Sequence, residues 1–366
     1  MKYIQEETRL VEQDLEYRKV QCTGRASYIV TLPKEWVQDM GLKAGHQLAI
    51  KKQEDSSLLL IPRTVLEKIA EPKKSTLNEA TIHITSKEDP KSLVRKIISL
   101  YVVGIDLIHI KSRDGEFASE QKTLLKDAAR RKLLGAEVIS ESPNEIVLQI
   151  LINHPEFPIQ KAIKRMFIIA LSMNKDAISA LKSLDKALVQ NIIETDDDVD
   201  RLDLYVIRQL KYTIQKNQFE EIGLKSPKEF LGYRLATNAV RGIADLAEKI
   251  AENILTMDKP VNEKIYNKIL TLSSYGNQLF EDAMISFFKR DYQAADAIIS
   301  RSEKIADTEK EIFKTVLDTE MDAKDASSLR LILDSSRRMI EYSKDIAEVT
   351  LNRTVEETYV NKELTR

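Results

Sequence analysis

Basic residues are concentrated in the first sixth of the chain, where they suit contact with a polyanion. Between Tyr17 and Arg63, eight lysines and arginines stand against four acidic residues, a net charge of +4. Arginine suits bidentate contact with phosphate or guanine, whereas lysine adds a charge that does not depend on base identity. Arg25 and Lys34 flank a strand-like run that stops at Pro33. The pattern favours contact with nucleic-acid phosphates, but it is equally typical of the solvated surface of a small β domain.

Acidic residues form a second candidate set in the C-terminal part. Two pairs are spaced four residues apart, and residues i and i+4 share one face of a helix. The run TDDDVD, which contains the first pair, is also typical of a helix N-terminus favoured by the helix dipole. The pairs are Asp196 with Asp200 and Glu303 with Asp307.

Composition excludes several classes of protein. The 366 residues, mean hydropathy of −0.31 and 31% charged residues describe a soluble chain of two or three domains. One cysteine, Cys22, cannot form an internal disulfide, and the four histidines lack zinc spacing. Neither a phosphate-binding glycine loop nor a run long enough to span a membrane is present, and the acidic start is unlike a signal peptide. We expect a cytoplasmic protein without a membrane span.

The first domain, predicted at 1–70, alternates short strands with turn signals. Strand-like runs at 16–22 and 28–32 precede the helix-like KEWVQDM, which ends at Gly41. After Gly45, QLAIKK and LLLIP read as a hairpin. A β unit of about fifty residues has too small a core to be stable alone, so strands from a second chain are its natural completion.

The segment 17–62 resembles the AbrB/MazE/SpoVT family of swapped-hairpin DNA-binding domains. The features that carry the resemblance are the basic first strand, the Gly-Arg turn, the strand end at Leu-Pro, the short helix to Gly-Leu and the final hairpin. His46 departs from the usual acid, and Val37 and Gln38 stand where several members carry arginines. The resemblance implies an interdigitated homodimer that binds double-stranded DNA. The DNA contacts that we expect are Arg18, Lys19, Arg25 and Lys34.

The second domain, predicted at 75–152, follows a βαβαββ order. A helix begins at Asp89 and Pro90, a second begins in SEQKTLLKDAARRKL, and AEVISES with NEIVLQIL forms a hairpin. This order predicts a small mixed α+β domain with helices on one face of its sheet. The segment contains no chemical motif, so a linker or dimerisation module is its plainest interpretation.

The remainder is almost wholly helical by pattern and contains an internal repeat. Arg234–Leu255 aligns without gaps to Arg330–Leu351. The runs VRGIADLAEKIAEN and SRRMIEYSKDIAEV resemble the PhoU family of phosphate uptake regulators. The resemblance implies an all-α region of two PhoU-like three-helix bundles, which we place at 156–258 and 259–366.

The PhoU resemblance also implies metal binding by acidic residues that line the bundles. Carboxylate oxygens are hard ligands, suited to a divalent or trivalent metal such as Mg, Mn, Fe or Zn. Arg241 and Arg337 replace the family's first acid in the third helix of each bundle, so ion pairs with Asp245 and Glu341 four residues on are the alternative. No other cofactor is expected. The predicted metal ligands are Asp196, Asp200, Asp245, Glu303, Asp307 and Glu341.

Together the two resemblances imply a DNA-binding transcriptional regulator of phosphate uptake, with the bundles as its sensing or docking module and no enzymatic activity. The alternative is an adaptor that docks on a phosphate transporter or a signalling protein and uses the first domain only to dimerise. An antitoxin would leave more than 200 helical residues without a role. A hydrolase is the weakest hypothesis, because no histidine, serine or cysteine nucleophile lies near the acid pairs in sequence.

Overall fold

The computed structural model describes residues 16–24, 27–52, 56–70, 77–152, 157–216, 219, 224, 229–303, 306–355 and 358–359. The chain divides into two compact units, Met1–Thr76 and Leu77–Arg366. The predicted fold class is confirmed, since a small β region is followed by a mixed α/β region and a largely helical part.

Within the described residues of the first unit, the chain forms two antiparallel hairpins and two short helices. Gly24, at the end of the first strand, has a φ of +67°, a conformation that glycine adopts without steric cost. Pro33 stands at the N-cap of the first helix, where its missing N–H is not needed, and Gly41 follows that helix with a φ of +61°. The elements are β1 (Gln21–Thr23), β2 (Ser27–Ile29), α1 (Lys34–Asp39), β3 (Leu48–Lys52), β4 (Leu58–Pro62) and α2 (Arg63–Ala70).

The first unit leaves most of its apolar strand residues exposed. No side chain of β1 or β2 is buried, and Tyr28 on β2 is 76% exposed. Ile50 on β3 and Leu58 on β4 are also largely exposed. These hairpins therefore do not bury a core of their own within one chain, as the small size of the domain predicts.

The second unit begins with a four-stranded mixed sheet. Its strand order is β5-β6-β8-β7; β5 and β6 are parallel, and β8 runs antiparallel to both of its neighbours. The predicted βαβαββ order is confirmed. The elements are β5 (Glu79–Ile84), α3 (Pro90–Val102), β6 (Leu107–Ser112), α4 (Ser119–Lys132), β7 (Ala136–Glu141) and β8 (Glu145–Ile150).

Local hydrogen bonds start both helices of the mixed region. The Asp89 carboxylate accepts from the backbone N–H groups of Lys91 and Ser92 at the start of α3. The Gln121 side chain accepts from the Ala118 N–H at the start of α4 and donates to the carbonyl oxygens of Thr85 and Glu88. These contacts position α3 and α4 so that their apolar residues form a closed core with one face of the sheet.

Seven further helices are found in the described residues of the second unit, and they share one continuous apolar core. No helix of the described residues is long and apolar enough to cross a membrane. The helices are α5 (Ile159–Ser183), α6 (Lys186–Lys216), α7 (Glu229–Thr256), α8 (Glu263–Lys289), α9 (Tyr292–Ser302), α10 (Ala306–Leu317) and α11 (Ala323–Val355).

The helical part repeats itself after α7. In each half the first helix ends at a left-handed residue, Leu184 or Arg290, and an aspartate follows that caps the next helix. The capping residues are Asp185 and Asp291, which lie at the same place in the two halves. The second helix of the first half, α6, is continuous, whereas its counterpart is divided into α9 and α10.

Candidate functional site

Three predicted acidic residues converge between α6 and α7. Asp196 and Asp200 lie one turn apart on α6. Asp245 lies on α7, which packs against α6. One carboxylate oxygen from each residue lies within 4.8 Å of the other two. All three side chains are half-buried, so water does not fully screen their charges from one another.

The environment of Asp196 disfavours its charged form. Burial, followed by the charges of Glu248, Asp200 and Asp245, raises the pKa of Asp196 to about 7. Its Oδ1 atom is buried and has no hydrogen-bond partner within the described part of the chain. Burial also raises the pKa of Asp245. A proton or a cation at this cluster would relieve the unfavourable charge.

Arg241 supplies part of the missing positive charge from α7. Its Nε donates to Oδ1 of Asp200 at 2.5 Å, so the contact crosses between helices rather than joining Asp245 on the same helix. Although burial alone would lower the pKa of Arg241, the bond to Asp200 and the neighbouring carboxylates raise it. The arginine therefore neutralises Asp200 directly, and Asp196 remains without a donor at its buried oxygen.

The second half preserves one ion pair of the first. In the first half, Arg234 Nη1 lies 3.1 Å from Asp203 Oδ1. In the second, Arg330 Nη1 lies 2.9 Å from Glu309 Oε1, and Asp203 and Glu309 follow their helix caps by the same number of residues. This correspondence aligns the two halves residue by residue.

In the same alignment, two acidic positions of the first half carry non-acidic residues in the second half. Ser302 and Ala306 stand where the first half has Asp196 and Asp200, while Glu341 corresponds to Asp245. Ser302 is buried and its hydroxyl donates to the Ile299 carbonyl. Arg337 is bonded to Glu341, as the ion-pair alternative predicts, and its Nε lies 3.1 Å from Glu309. No second cluster of three acids is found in the described residues.

The other predicted acids of the second half lie at a break between helices. Glu303 is the exposed C-cap residue of α9. Asp307 lies in the first turn of α10, and its side chain is outside the described part of the structure. Since α9 ends at Ser302 and Asp307 lies on α10, the argument that residues i and i+4 of one helix share a face does not apply to this pair.

The predicted DNA contacts lie in the first unit. Arg18 and Lys19 precede β1 and are exposed; Arg18 is ion-paired with Glu16. Lys34 is the first residue of α1 and is also exposed. Arg25 lies outside the described residues.

Two known protein families match separate parts of the chain. The PhoU domain family matches residues 163–254 and 269–350. A second family, described as the antidote-toxin recognition protein MazE, a bacterial antitoxin, matches residues 22–67. The chain joins a MazE-type domain to two PhoU domains. Both predicted resemblances are confirmed.

Two relatives that are named as PhoU homologs match about half of the chain. The chain is 23% identical over 185 residues to the phosphate-specific transport system accessory protein PhoU homolog 1 of Thermotoga maritima, a match that covers 50% of this chain and 78% of that protein. It is 24% identical over 177 residues to the corresponding PhoU homolog of Aquifex aeolicus, with 47% and 78% covered.

Two crystal structures of PhoU proteins were also matched. PhoU from Pseudomonas aeruginosa is 16% identical with a TM-score of 0.46, and the match covers 53% of this chain and 93% of that one. The phosphate transport system regulatory protein PhoU from Streptococcus pneumoniae is 15% identical with a TM-score of 0.47, with 53% and 91% covered.

The first PhoU domain therefore contains the acidic cluster with the stronger case for a cation. Its donors are carboxylate oxygens, which hard cations prefer, and the buried Oδ1 of Asp196 is one that no group of the described residues hydrogen-bonds. Arg241 competes for Asp200, which lowers the net negative charge of the cluster. The residues present fit a cation held chiefly by Asp196 and Asp245.

Sequence analysis missed Asp203 and Glu248, which also act on this cluster. Asp203 lies one turn beyond Asp200 on α6 and is paired with Arg234. Glu248 lies one turn beyond Asp245 on α7, and its charge contributes to the raised pKa of Asp196. Their spacing of three residues from a predicted ligand was the available signal, since i and i+3 also share a helix face.

Proposed function

We propose that the protein is a DNA-binding transcriptional regulator of phosphate uptake, in which the PhoU domains sense or dock and the MazE-type domain reads DNA. The observation that carries the proposal is the union of these two domain types in one chain. Regulation rather than catalysis is the role that this pairing supports.

The proposal includes a homodimer formed by the MazE-type domain. The apolar side chains of Tyr28, Ile50 and Leu58 are exposed, and the described residues of the first unit form no buried hydrophobic cluster. Covering them with strands of a second copy would remove this apolar surface from water, which stabilises by roughly 25 cal/mol per Å². A second chain would also present a second set of basic residues to the duplex.

Arg18, Lys19, Arg25 and Lys34 are the proposed DNA contacts. Lysine and arginine that neutralise DNA phosphates release condensed counterions, so affinity falls steeply with salt. Arginine can also read guanine through a bidentate contact. The exposure of Arg18, Lys19 and Lys34 supports this role.

The link to phosphate rests on the relatives of the PhoU domains. Both relatives are named as accessory proteins of a phosphate-specific transport system. We infer that the PhoU domains of this chain dock on a phosphate transporter or a signalling protein, and that this docking changes the availability of the DNA-binding surface.

A cation site in the first PhoU domain is a second part of the proposal. Asp196, Asp200 and Asp245 would hold a divalent or trivalent cation, for which Mg, Mn, Fe and Zn are the candidates. The orphaned oxygen of Asp196 supports this site. We do not extend it to Glu303, Asp307 and Glu341, because Ser302 and Ala306 replace the corresponding acids of the first half.

Fluorescence anisotropy of the full-length protein with duplexes from its own upstream region tests the proposal. Wild type should bind with an affinity that falls as salt rises, and Arg18→Ala/Arg25→Ala should lose that binding. Lys161→Ala/Arg165→Ala, which removes two exposed charges from α5, is the matched control and should bind like wild type. Absence of binding at low salt, or equal binding by both variants, would favour the adaptor that uses its first domain only to dimerise.

A further inference from the structure

Strand β5 forms an edge of the four-stranded sheet, and no strand of the described residues pairs with its outer side. The Asn78 carbonyl oxygen accepts from the N–H groups of Asp106 and Leu107, and the Ile84 carbonyl accepts from Arg113. Even-numbered residues of β5 therefore direct their backbone groups toward β6. Since the direction alternates along a strand, the backbone N–H and C=O groups of the odd-numbered residues face outward.

The described part of this edge has neither the proline nor the bulge that keeps many edge strands from pairing. The outward residues are Glu79, Thr81 and His83, and all three side chains are exposed. No proline interrupts the strand, and its register with β6 is continuous without a bulge. Such an edge is a template for another strand.

An open groove of about 470 Å³ lies beside this edge, between β5 and α3. Its apolar lining includes Ile82 from β5, Leu100 from α3 and Val103, the C-cap residue of α3. Val103 is 42% exposed. The polar lining consists of Ser92 and Ser99 with the cationic side chains of Arg95 and Lys96.

We propose that β5 pairs antiparallel with β5 of a second copy of this chain, in a register centred on Thr81. In an antiparallel pair, hydrogen-bonded positions must join outward-facing residues of both strands. Centring on Thr81 uses every outward residue: Thr81 faces the partner's Thr81, and Glu79 faces the partner's His83. This register gives about six new backbone hydrogen bonds and joins the two sheets into one.

The side chains on both faces fit this register. On the face of the sheet opposite α3 and α4, Glu79 lies opposite the partner's His83, a pair whose imidazole N–H can donate to the carboxylate and which the twofold axis repeats. Glu79 Oε1 also lies 2.9 Å from His109 Nε2, so the new contact joins an existing one. On the helix face, Ala80 lies opposite the partner's Ile82, which places small and large side chains together beside the groove.

Self-complementarity is the reason to assign a second copy rather than a foreign peptide or a small amphipathic ligand. A strand that is its own best partner about a central residue pairs through a twofold axis, the commonest symmetry of protein dimers. If the MazE-type domains pair as proposed, two β5 edges also occur in one assembly, which raises their effective concentration.

Disulfide trapping in the full-length protein tests the pairing and its register. In a Cys22→Ser background, Thr81→Cys places two thiols at directly opposed positions, about 5.5 Å apart between Cα atoms, a separation that a disulfide spans. Mild oxidation should give a covalent dimer about tenfold faster than for Thr123→Cys, a control at an exposed threonine on α4. Equal rates for Thr81→Cys and Thr123→Cys would overturn the proposal.

The register has its own test. Glu79→Cys and His83→Cys should each cross-link slowly, whereas the double variant should cross-link fast, because each thiol then faces the other across the twofold axis. Adding Thr81→Pro to the double variant removes an outward N–H without touching β6, and it should abolish the fast reaction. Fast cross-linking by either single variant, or persistence with Thr81→Pro, would contradict the register. A thermal melt of each variant verifies that it is folded.

Discussion

Arg208 on α6 is bonded to Asp106, the residue before β6, through Nη2 and Oδ1 at 2.5 Å. The arginine is 2% exposed. Its Nη1 also donates to the carbonyl oxygens of Tyr101, in the last turn of α3, and of Ile105, in the loop between α3 and β6. One side chain of the first PhoU domain thus satisfies three acceptors of the mixed α/β region. It joins that region to the same helix that carries Asp196 and Asp200.

Replacing Arg208 should loosen this junction. Arg208→Met leaves Asp106 and two carbonyl oxygens without their donor, and we expect a loss of about 2–4 kcal/mol in the free energy of unfolding. Urea unfolding measures the loss in the free energy of unfolding. Hydrogen exchange of the backbone amides in 101–106 shows whether the junction opens locally. Arg201→Met, on the same helix, removes only an ion pair to Asp198 three residues away and should cost less than about 1 kcal/mol. Equal losses would argue against a special role for Arg208.

The raised pKa of Asp196 predicts a pH dependence of stability. The folded-state pKa of about 7 exceeds the ordinary value of 3.8, so between these pH values the folded chain holds a proton that the unfolded chain releases. Stability from this group is therefore present below about pH 4 and is lost as pH rises through 7. Without added metal, Asp196→Asn should melt higher than wild type at pH 8 and alike at pH 4.

Glu194→Gln is the control for that comparison, because Glu194 is an exposed acid on the same helix. Its melting temperature should differ from that of wild type by the same small amount at both pH values. If Asp196→Asn raises the melting temperature equally at pH 4 and pH 8, the removal of the Asp196 charge is not the cause of that increase.

Cation binding should occur once per chain. Calorimetric titration with Mn²⁺ should give a stoichiometry near one, and saturating Mn²⁺ should raise the melting temperature, because a ligand that binds only the folded state stabilises it. Asp245→Asn should abolish both effects. Glu341→Gln, its counterpart in the second PhoU domain, should preserve them. Two sites per chain, or equal losses in both variants, would contradict the restriction to the first domain.

Gly135 should tolerate substitution less well than Gly104. Both have positive φ, +77° and +94°, but a Cβ at Gly135 would lie 2.7 Å from Cβ of Ile152, whereas at Gly104 the nearest atom is 3.8 Å away. Gly104→Ala should cost about 1–2 kcal/mol from backbone strain. Gly135→Ala adds a steric clash and should cost about 3 kcal/mol or more. Chemical denaturation measures the loss in the free energy of unfolding for each variant. Equal losses would show that the Ile152 side chain moves away from the new Cβ at little cost.

Local sequence signals predicted most of the elements and their order. Asp89 and Pro90 predicted the start of α3, and the alternation of DLIHIKS predicted β6. The aligned arginines Arg234 and Arg330 indicated the helical repeat. These signals suffice because caps, strand alternation and helix periodicity depend on residues close together in the chain.

The candidate site was only partly predictable. Spacing alone placed Asp196 and Asp200 on one face, but it assigned Arg241 no partner beyond its own helix, and in the structure that arginine is bonded to Asp200 on α6. Spacing also treated Glu303 and Asp307 as a pair on one helix, although α9 ends at Ser302 and Asp307 lies on α10. Contacts between helices depend on packing, which periodicity within one helix does not specify.

The sequence by itself determined the domain families, the helical repeat and the residue types available for phosphate and cation contacts, because these depend on local order along the chain. Tertiary structure alone decided that Asp245 joins Asp196 and Asp200, that Arg208 closes on Asp106, and that β5 lies at an edge of its sheet. Each of these relationships joins residues distant in sequence. They are fixed by how helices and strands bury their apolar faces together, so no local pattern contains them.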